Sequence, residues 1–162
     1  MSSIKAELTG DAGELLKRLD KMKNLDVRGA LNSIAEGLRT STVERFTDEK
    51  SPEGKSWKQS IRAKENGGKT LTQTTQLKTS IRSEVNNTGL AVGTNDIRAA
   101  THQFGDERTI RAKNKKHLSF QIGGRWVKVA SVKVNIPARP FLGISDEDNQ
   151  DIKDSLEALF EE

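Results

Sequence analysis

The sequence predicts an α+β fold in which N-terminal helices and a C-terminal helix pack on a small antiparallel β-sheet of hairpins. Apolar residues recur at helical spacing near both ends of the chain, whereas two alternating segments in the middle each contain a glycine-bearing turn. Strands and helices do not alternate along the chain, so no parallel sheet is indicated. With a hydrophobic content of 33%, we expect residues 1–162 to form a single domain with a modest core.

Capping residues and apolar stripes predict three helices. A capping-box-like pattern begins a short helix over about residues 11–23. A second helix begins near Asp26 and ends before Pro52, because a proline disfavours helical geometry at the preceding residue. Arg45 is predicted on its polar side. Its apolar stripe consists of Val27, Leu31, Ile34, Ala35, Leu38, Thr42 and Phe46. Ser145 is an N-cap for the last helix, whose first turn is acidic.

Two hairpins are predicted in the middle of the chain, where alternating residues flank turn residues. In the first, a four-residue loop places Val85 opposite Leu90. In the second, Gly123 and Gly124 form a two-residue turn, and the resulting register places four apolar side chains on one face. Those side chains are Leu118, Phe120, Val127 and Val129. Between the hairpins, we expect a short helical turn that ends at Gly105.

The remaining segments are polar and contain many basic residues. Residues 47–70 are predicted to form a long mobile loop that Trp57 and Ile61 anchor. Residues 71–81 carry a weak apolar stripe that fits two or three helical turns. Residues 106–117 are predicted to form a second mobile basic loop, and we expect both loops to become ordered on assembly.

The composition excludes or disfavours several function classes. The chain contains no cysteine, which excludes disulfides, Cys-type zinc sites and thiol catalysis. The two histidines, His102 and His117, lie in unrelated local contexts, so no shared metal site is predicted. No apolar run approaches the ~18–20 residues of a membrane span, and the N-terminus lacks the apolar core of a signal peptide. We therefore expect a soluble, non-secreted protein without a metal, a cofactor or a membrane partner.

Residues 63–70, AKENGGKT, partly match the phosphate-binding loop of nucleotide hydrolases. The match lacks the first glycine, since Ala63 stands there, and the preceding WKQSIR is not an apolar strand. No apolar run ends in an aspartate that would hold magnesium. The acidic run at 146–151 lacks the glycine of a calcium loop and suits a helix N-terminus instead. None of these patterns demands an enzyme, and Gly67 and Gly68 are predicted to mark a flexible elbow of the loop.

Charge is distributed unevenly along the chain. Residues 51–140 carry 17 basic and 6 acidic side chains, whereas residues 141–162 carry 1 basic and 8 acidic ones. This asymmetry suits contact with a nucleic-acid backbone, head-to-tail packing of subunits, or attraction between two faces of one monomer. Because aromatic residues make up only 4% of the chain, base stacking on single strands is disfavoured. The basic loop residues of interest are Arg111, Lys113, Lys115 and Lys116.

Several short motifs follow one another between Phe46 and Gly143. They are Pro-x-Gly-x-x-Trp at 52–57, a Leu–Leu–Ser-Ile stretch at 71–81, Val-Gly-Thr-Asn at 92–95, His-x-Phe-Gly at 102–105 and Pro-Ala-Arg-Pro-Phe-Leu-Gly at 137–143. Together they resemble the virion morphogenesis (tail completion) family of Mu-like tailed bacteriophages, over about residues 30–162. The resemblance marks as assembly candidates Pro52, Gly54, Trp57, Gly93, His102, Phe104, Gly105, Pro137, Arg139, Pro140, Phe141 and Leu142.

The resemblance implies a structural protein without catalytic activity that acts late in virion assembly. It implies a place in the neck or tail of the virion, after a period in the host cytoplasm, and a homo-oligomeric ring of about six copies. The expected partners are tail tube or tail terminator proteins, or the head connector. The alternative is a small basic DNA-binding accessory protein that contacts the duplex backbone non-specifically. For Arg139, a bond within the subunit and a salt bridge to a neighbour are both open.

Overall fold

The computed structural model describes residues 17, 20–21, 25–113 and 116–161. Lys17, Asp20 and Lys21 have helical backbone, and the rest of the helix predicted over residues 11–23 lies outside the described residues. Over the described part of the chain, helices and short antiparallel strand pairs confirm the predicted α+β fold.

The described strands form three two-stranded sheets in place of a single sheet. Each strand pairs with one antiparallel partner, which gives β1–β2, β3–β6 and β4–β5. The order of elements along the chain is α1 (Val27–Asp48), α2 (Ile61–Asn66), α3 (Gln76–Thr79), β1 (Arg82–Asn86), β2 (Gly89–Gly93), α4 (Ala99–Phe104), β3 (Asp106–Arg111), β4 (Leu118–Ile122), β5 (Arg125–Val129), β6 (Ser131–Ile136) and α5 (Asp146–Glu161).

Helix α1 begins and ends where the sequence predicted. The Asp26 carboxylate accepts a hydrogen bond from Gly29 N at 2.8 Å, which caps the first turn. The chain leaves the helix through Glu49, whose φ of 56° lies in the left-handed region. The prediction that Arg45 faces solvent is wrong, because buried backbone carbonyls of a distant segment bind its guanidinium. The buried residues of α1 are Ile34, Ala35, Thr42, Arg45 and Phe46.

Helix α5 packs along α1 and is capped as predicted. Ser145 Oγ accepts a hydrogen bond from Asp148 N at 3.1 Å, and the Asp148 carboxylate accepts one from Ser145 N at 2.8 Å. This reciprocal pair satisfies two backbone N–H groups at the start of the helix. Towards its end, Leu156 and Phe160 remain exposed.

The hairpin β1–β2 packs against α1 and has the predicted register, with Val85 opposite Leu90. The ladder continues by one further pair, Asn86 with Gly89, so the loop contains two residues where four were predicted. The Asn86 side-chain oxygen stabilises this tighter turn by accepting a hydrogen bond from Thr88 N at 2.8 Å.

The helix predicted over residues 71–81 is reduced to one turn, α3. Leu71 and Thr75 have φ angles of 63° and 54°. These left-handed conformations do not belong to an α-helix and are costly for residues with a Cβ. The apolar spacing instead reflects burial of Leu77 and Ile81 in the core.

Residues 47–70 contain more structure than the predicted loop. Helix α2 lies within them, and Ser60 Oγ caps it by accepting a hydrogen bond from Ala63 N at 3.1 Å. Trp57 is buried, as its predicted anchoring role requires. The prediction that Ile61 is an anchor is wrong, because α2 turns this side chain to solvent and buries Ala63 in its place.

The hydrophobic core joins segments that are far apart in sequence. Phe46 comes from α1, Trp57 from the segment after α1, Leu77 and Ile81 from the region of α3, and Phe141 from the lead into α5. Around its edge pack Val43, Leu71, Val92, Ala99 and Leu142. The core therefore joins the C-terminal end of α1 to the segment that leads into α5.

Two antiparallel strand pairs follow each other in the described residues 106–113 and 116–136, and we call this region the arm. Strands β3 and β6 make its proximal half, and β4 and β5 make its distal half. Ala112 N donates to Ala130 O at 3.1 Å, which continues the proximal ladder by one pair. The distal ladder begins at Val129 on one strand and at Leu118 on the other.

The arm corrects one prediction and confirms another. Residues 106–111, predicted as part of a basic loop, form β3. Their partner β6 lies beyond the whole distal hairpin, so no local pattern indicates the pairing. In the distal hairpin, the Gly-Gly turn and the register are as predicted, with Phe120 opposite Val127. The mobility of the basic loops stays a prediction.

Candidate functional site

Most of the motif residues meet in one place, which we call the motif core. It comprises Phe46, Pro52, Trp57, His102, Gln103, Gly105 and residues 137–143. The Phe46 ring centroid lies 5.5 Å from that of Trp57, in an edge-to-face arrangement, and 5.1 Å from that of Phe141. The Trp57 indole N–H donates a hydrogen bond to the Pro140 carbonyl at 2.9 Å. Motifs that are distant in sequence are thus joined by ring packing and a directed bond.

Gln103 holds the irregular segment that leads into α5. Its Oε1 accepts hydrogen bonds from Phe141 N and Leu142 N, both at 3.0 Å, and its Nε2 donates to the Leu142 carbonyl at 2.9 Å. Beside it, the His102 carbonyl accepts a hydrogen bond from Arg139 N at 2.7 Å. These bonds satisfy backbone groups that no helix or strand would otherwise pair. The His-x-Phe-Gly motif therefore positions the Pro-Ala-Arg-Pro-Phe-Leu-Gly motif.

Arg139 is buried and bonds within the chain. Its Nε donates to the Lys58 carbonyl at 2.7 Å. Burial lowers the pKa of this guanidinium. Of the two roles that the sequence left open, the bond within the subunit is present in the structure. It ties the second proline motif to the residue that follows Trp57.

Arg45 makes a second buried connection to the same segment. Its Nη1 donates to the carbonyls of Phe141 and Gly143 at 3.0 and 2.8 Å. Its Nη2 forms a buried ion pair with Asp148 and also donates to Ser41 Oγ at 3.1 Å. One guanidinium therefore binds the end of the Pro-Phe-Leu-Gly segment and the first turn of α5, which fixes the angle at which the two helices pack.

The pKa of Asp148 is set by opposing effects. Burial acts to raise it, whereas hydrogen bonds from Ser145 N and Ser41 and the charge of Arg45 act to lower it, and the net shift is downward. Asp148 is therefore ionised at neutral pH, as its buried pairing with the guanidinium requires. The sequence predicted that Asp148 interacts with the dipole of the last helix, which describes only part of its role.

Glycine and proline residues of the motifs permit close contacts. A Cβ on Gly105, whose φ is 78°, would lie 2.9 Å from Ala138 N. A Cβ on Gly143 would lie 2.7 Å from the ring of Pro52. Gly54, with a φ of 75°, lies in the turn two residues after Pro52. The first two positions have no room for a side chain, which explains why glycine occupies them.

Two motif residues lie outside the motif core. Gly93 ends β2 opposite Arg82, and apart from its chain neighbours no atom lies within 4 Å of where its Cβ would be. Phe104 ends α4 and is 79% exposed. A ring so exposed adds little to the stability of the monomer, which leaves it available to another molecule.

His102 carries an unsatisfied nitrogen. Its Nδ1 is buried and has no hydrogen-bond partner among the described residues. Burial lowers the pKa of His102, and the charges of Arg139 and Arg98 lower it further. The ring is therefore neutral near pH 7. His117 lies on the exposed arm, so the structure does not bring the two histidines together in one site.

The basic loop residues lie on the arm and are separate from the motif core. Arg111 ends β3, while Lys113 and Lys116 lie between β3 and β4, and all three are exposed. Lys115 lies outside the described residues. No ion pair links the three described side chains to any other described residue. Their charge is therefore available to a partner.

Residues 63–70 stabilise a loop. Their glycines follow helix α2, whereas a phosphate-binding loop precedes its helix. Lys69 Nζ donates to the Thr47 carbonyl, and the N–H of fully buried Thr70 donates to Glu49 Oε1 at 2.6 Å. These bonds close the segment against the end of α1, so the Lys and Thr of the motif serve the fold.

Sequence reasoning missed the structural roles of Gln103, Arg45 and Asp148. A signal existed for Arg45, because it follows the stripe residue Thr42 by three positions and therefore borders the buried side of α1. For Gln103 and Asp148 the signal was only partial. Both lie inside segments that were singled out, but their bonding partners are set by the tertiary fold.

The chemistry of the site consists of packing and hydrogen bonds to backbone. Among the described residues, no three histidine, aspartate or glutamate side chains group in a way that would hold a metal ion. In the same part of the chain, no helix is both long enough and apolar enough to cross a membrane.

Comparisons with known proteins agree on one family. The model of the phage virion morphogenesis family matches residues 10–161. The Mu-like prophage FluMu G protein 2 of Haemophilus influenzae is 31% identical over 153 residues, which cover 93% of this chain and 92% of that protein. No solved structure matches the chain. The chain therefore belongs to the phage virion morphogenesis family, and its role is in the structure and assembly of a phage particle.

Proposed function

We propose that the protein completes the tail or joins it to the head, as an oligomeric ring at the virion neck. The family concerns virion morphogenesis, and the relative from Haemophilus is a Mu-like prophage protein. The observation that carries the proposal is the arm. Among the described elements, its strands pack extensively only on each other. A two-stranded ribbon is marginally stable in water, which suits a protein that neighbours complete.

The motif core supports a structural role over a catalytic one. Gln103, Arg45 and Arg139 direct their polar atoms to backbone carbonyls and N–H groups of the same chain. Side chains that bond to the backbone of their own chain stabilise the fold and are not presented to a substrate. The motif core is therefore suited to hold the arm and the α1–α5 pair in fixed relative positions, as a repeating assembly requires.

A ring requires contacts between different surfaces of neighbouring copies. Such heterologous contacts close into a ring when the rotation between subunits allows it, and about six copies would match a sixfold tail. The partners of this ring would be the tail tube or tail terminator proteins on one side, or the head connector on the other. Exposed Phe104 is one side chain that the fold leaves for such a contact.

Deleting the gene in the phage or prophage that encodes it tests the proposed function. We expect electron microscopy to show separate heads and tails, with joined particles restored when the gene is supplied on a plasmid. Gold labelling of a tagged protein in complemented particles should mark the neck. Joined, infectious particles without the protein, or label confined to another part of the virion, would overturn the proposal.

The unpaired cations of the arm favour a second candidate function, contact with the duplex backbone. Arg111, Lys113 and Lys116 are exposed and would neutralise phosphates without reading sequence. Binding of the purified protein to a random-sequence duplex should then weaken steeply between 50 and about 200 mM salt. Substitution of all three by glutamine should remove most of this salt dependence, and binding unaffected by that change would reject the candidate.

A further inference from the structure

The distal half of the arm exposes apolar side chains on both of its faces. On one face, Phe120 and Val127 oppose each other and remain half-exposed. On the other face, Trp126 is 73% exposed opposite Gln121. Ile122 at the tip is also exposed. Apolar surface of this kind in a ribbon that no other described element covers indicates a surface for a partner.

The arm is long enough to reach a neighbouring copy. Its two ladders together hold about twelve residue pairs, which corresponds to a length of at most about 40 Å at roughly 3.4 Å per residue. The radius of gyration expected for a compact chain of this size is about 15 Å. A sphere with that radius of gyration is about 39 Å across, so the arm, which no other described element covers, is about as long as a compact monomer is wide.

The cations of the distal arm have no ion-pair partner among the described residues. In the proximal half, Arg108 pairs with Asp106 at 3.2 Å, and Lys133 pairs with Glu107. In the distal half, Arg125 and Lys128 are exposed, and neither forms an ion pair with a described residue. The partner surface should therefore be acidic.

The groove between α1 and α5 is acidic and therefore complements the basic distal arm. It encloses about 650 Å³ and is lined by small residues such as Ser33 and Gly37, so it is open to an incoming side chain. The carboxylates of Glu44, Glu147 and Asp151 line it, and none of the three pairs with a cation among the described residues. Three uncompensated carboxylates around one groove favour a cationic occupant.

We propose that the distal arm of one copy docks in the α1–α5 groove of a second copy. The proposal rests on the proposed ring and specifies its contact, which joins two different surfaces and can therefore repeat around a ring. Lys128 shares one face of the ribbon with Trp126 and contacts the groove carboxylates, whereas Arg125 reaches them from beside the turn, and the neighbour covers Trp126. Duplex DNA would neutralise the same cations but would leave Trp126 in water, so a second copy is the better occupant.

Cysteine cross-linking tests the contact directly, because the native chain contains no cysteine. One variant carries Lys128→Cys on the arm and another carries Asp151→Cys in the groove. Mixed under mild oxidation, they should form a disulfide-linked pair in at least about tenfold higher yield than either variant by itself. Matched controls are Lys64→Cys on α2 and Glu157→Cys on α5, which are exposed and lie outside the arm and the groove.

Charge reversal supplies a second measurement. Arg125→Glu with Lys128→Glu should abolish self-association in sedimentation, and Glu147→Lys with Asp151→Lys should do the same. Mixing the two reversed proteins should give a one-to-one complex, since each retains one native surface and these two surfaces match. Circular dichroism confirms folding of each variant, and the pair Lys50→Glu with Lys64→Glu serves as the control for net charge.

The outcomes separate this contact from its alternatives. Equal cross-linking of the arm variant with itself would show arm-to-arm pairing and overturn the proposal. Absence of arm-to-groove cross-links, both in the purified protein and in assembled particles, would overturn it as well. So would salt-sensitive duplex binding that is lost with Arg125 and Lys128 while self-association is unchanged. If cross-links form but gene deletion leaves joined particles, the contact stands and the proposed function fails. If gene deletion leaves heads and tails unjoined but no cross-links form, the proposed function stands and the proposed contact fails.

Discussion

The motif core and the arm differ in how far their apolar and charged side chains are covered by the rest of the chain. In the motif core, Phe46 and Phe141 are fully buried, and charged side chains such as Arg45 and Arg139 bond to backbone. In the arm, both ladders are complete, yet Trp126 and the cations of the tip face solvent. The motif core is satisfied by its own chain, whereas each strand of the arm has one unpaired edge and the distal arm exposes apolar and charged side chains.

The motif core and the arm should therefore contribute to different quantities, the stability of the monomer and its affinity for a partner. Burial of apolar side chains in the motif core stabilises the monomer. Apolar surface on the arm contributes nothing until a partner removes it from water. Substitutions in the two regions should therefore separate two measurements, the free energy of unfolding of the monomer and the association of copies.

The largest loss of stability should follow Phe46→Ala. The ring packs on both Trp57 and Phe141, and its removal leaves a cavity that the surrounding segments cannot fill. We expect the free energy of unfolding to fall by about 4 kcal/mol. Urea denaturation followed by circular dichroism measures it. A loss below about 1 kcal/mol would mean that the motif core is not the main source of stability.

Asp148→Asn should cost about 3 kcal/mol, because it leaves the buried Arg45 guanidinium without its counter-charge. Because the folded-state pKa of Asp148 is lowered, its contribution is present above its unfolded pKa of about 3.9 and is lost as pH falls through the folded value. The difference from the native protein should therefore shrink in acid. Denaturation at neutral and acidic pH tests this, with exposed Asp151→Asn as the matched control. A pH-independent difference would contradict it.

Gln103→Ala should lower the free energy of unfolding by about 2 kcal/mol, because buried backbone groups of Phe141 and Leu142 lose their partner. The matched control is Gln121→Ala on the arm, whose amide donates to the exposed Gly124 carbonyl. That change should cost less than about 0.5 kcal/mol. Thermal and urea unfolding of the two variants compare them, and similar losses would remove the distinction between the regions.

The smallest change in monomer stability should follow Trp126→Ser, within about 0.5 kcal/mol of the native protein. The indole is 73% exposed, so its removal creates no cavity. Association should nevertheless weaken, because the apolar surface that the proposed contact covers is reduced. Sedimentation at several concentrations measures this. Unchanged association would show that the arm does not use this ring to bind a neighbour.

Local chemistry determined much of the fold. The Gly123–Gly124 turn sets the register of the distal hairpin, and the Ser145 cap sets the start of α5. Both signals depend on a few neighbouring residues, so they can be recognised from the local sequence without knowledge of the rest of the fold. The family motifs were also visible, because their proline, glycine and aromatic residues have strong local constraints.

Other features required the tertiary structure. The length of α3 was overestimated because Leu71 and Thr75 adopt left-handed conformations that the surrounding fold imposes. Strand β3 was missed because its partner β6 lies across the whole distal hairpin. In both cases the decisive interactions join residues far apart in sequence, and local periodicity carries no information about them.

The sequence by itself determined the α+β class, the helix caps, two hairpin registers and the segments that carry the family resemblance. Only the tertiary structure decided that those segments converge on one motif core, that Arg45 and Asp148 form a buried pair, and that strands β3 to β6 form the arm. The physical reason is the separation in sequence of the residues that interact. Turns and caps are fixed by neighbours along the chain, whereas burial and strand pairing depend on which distant groups the folded chain brings into contact.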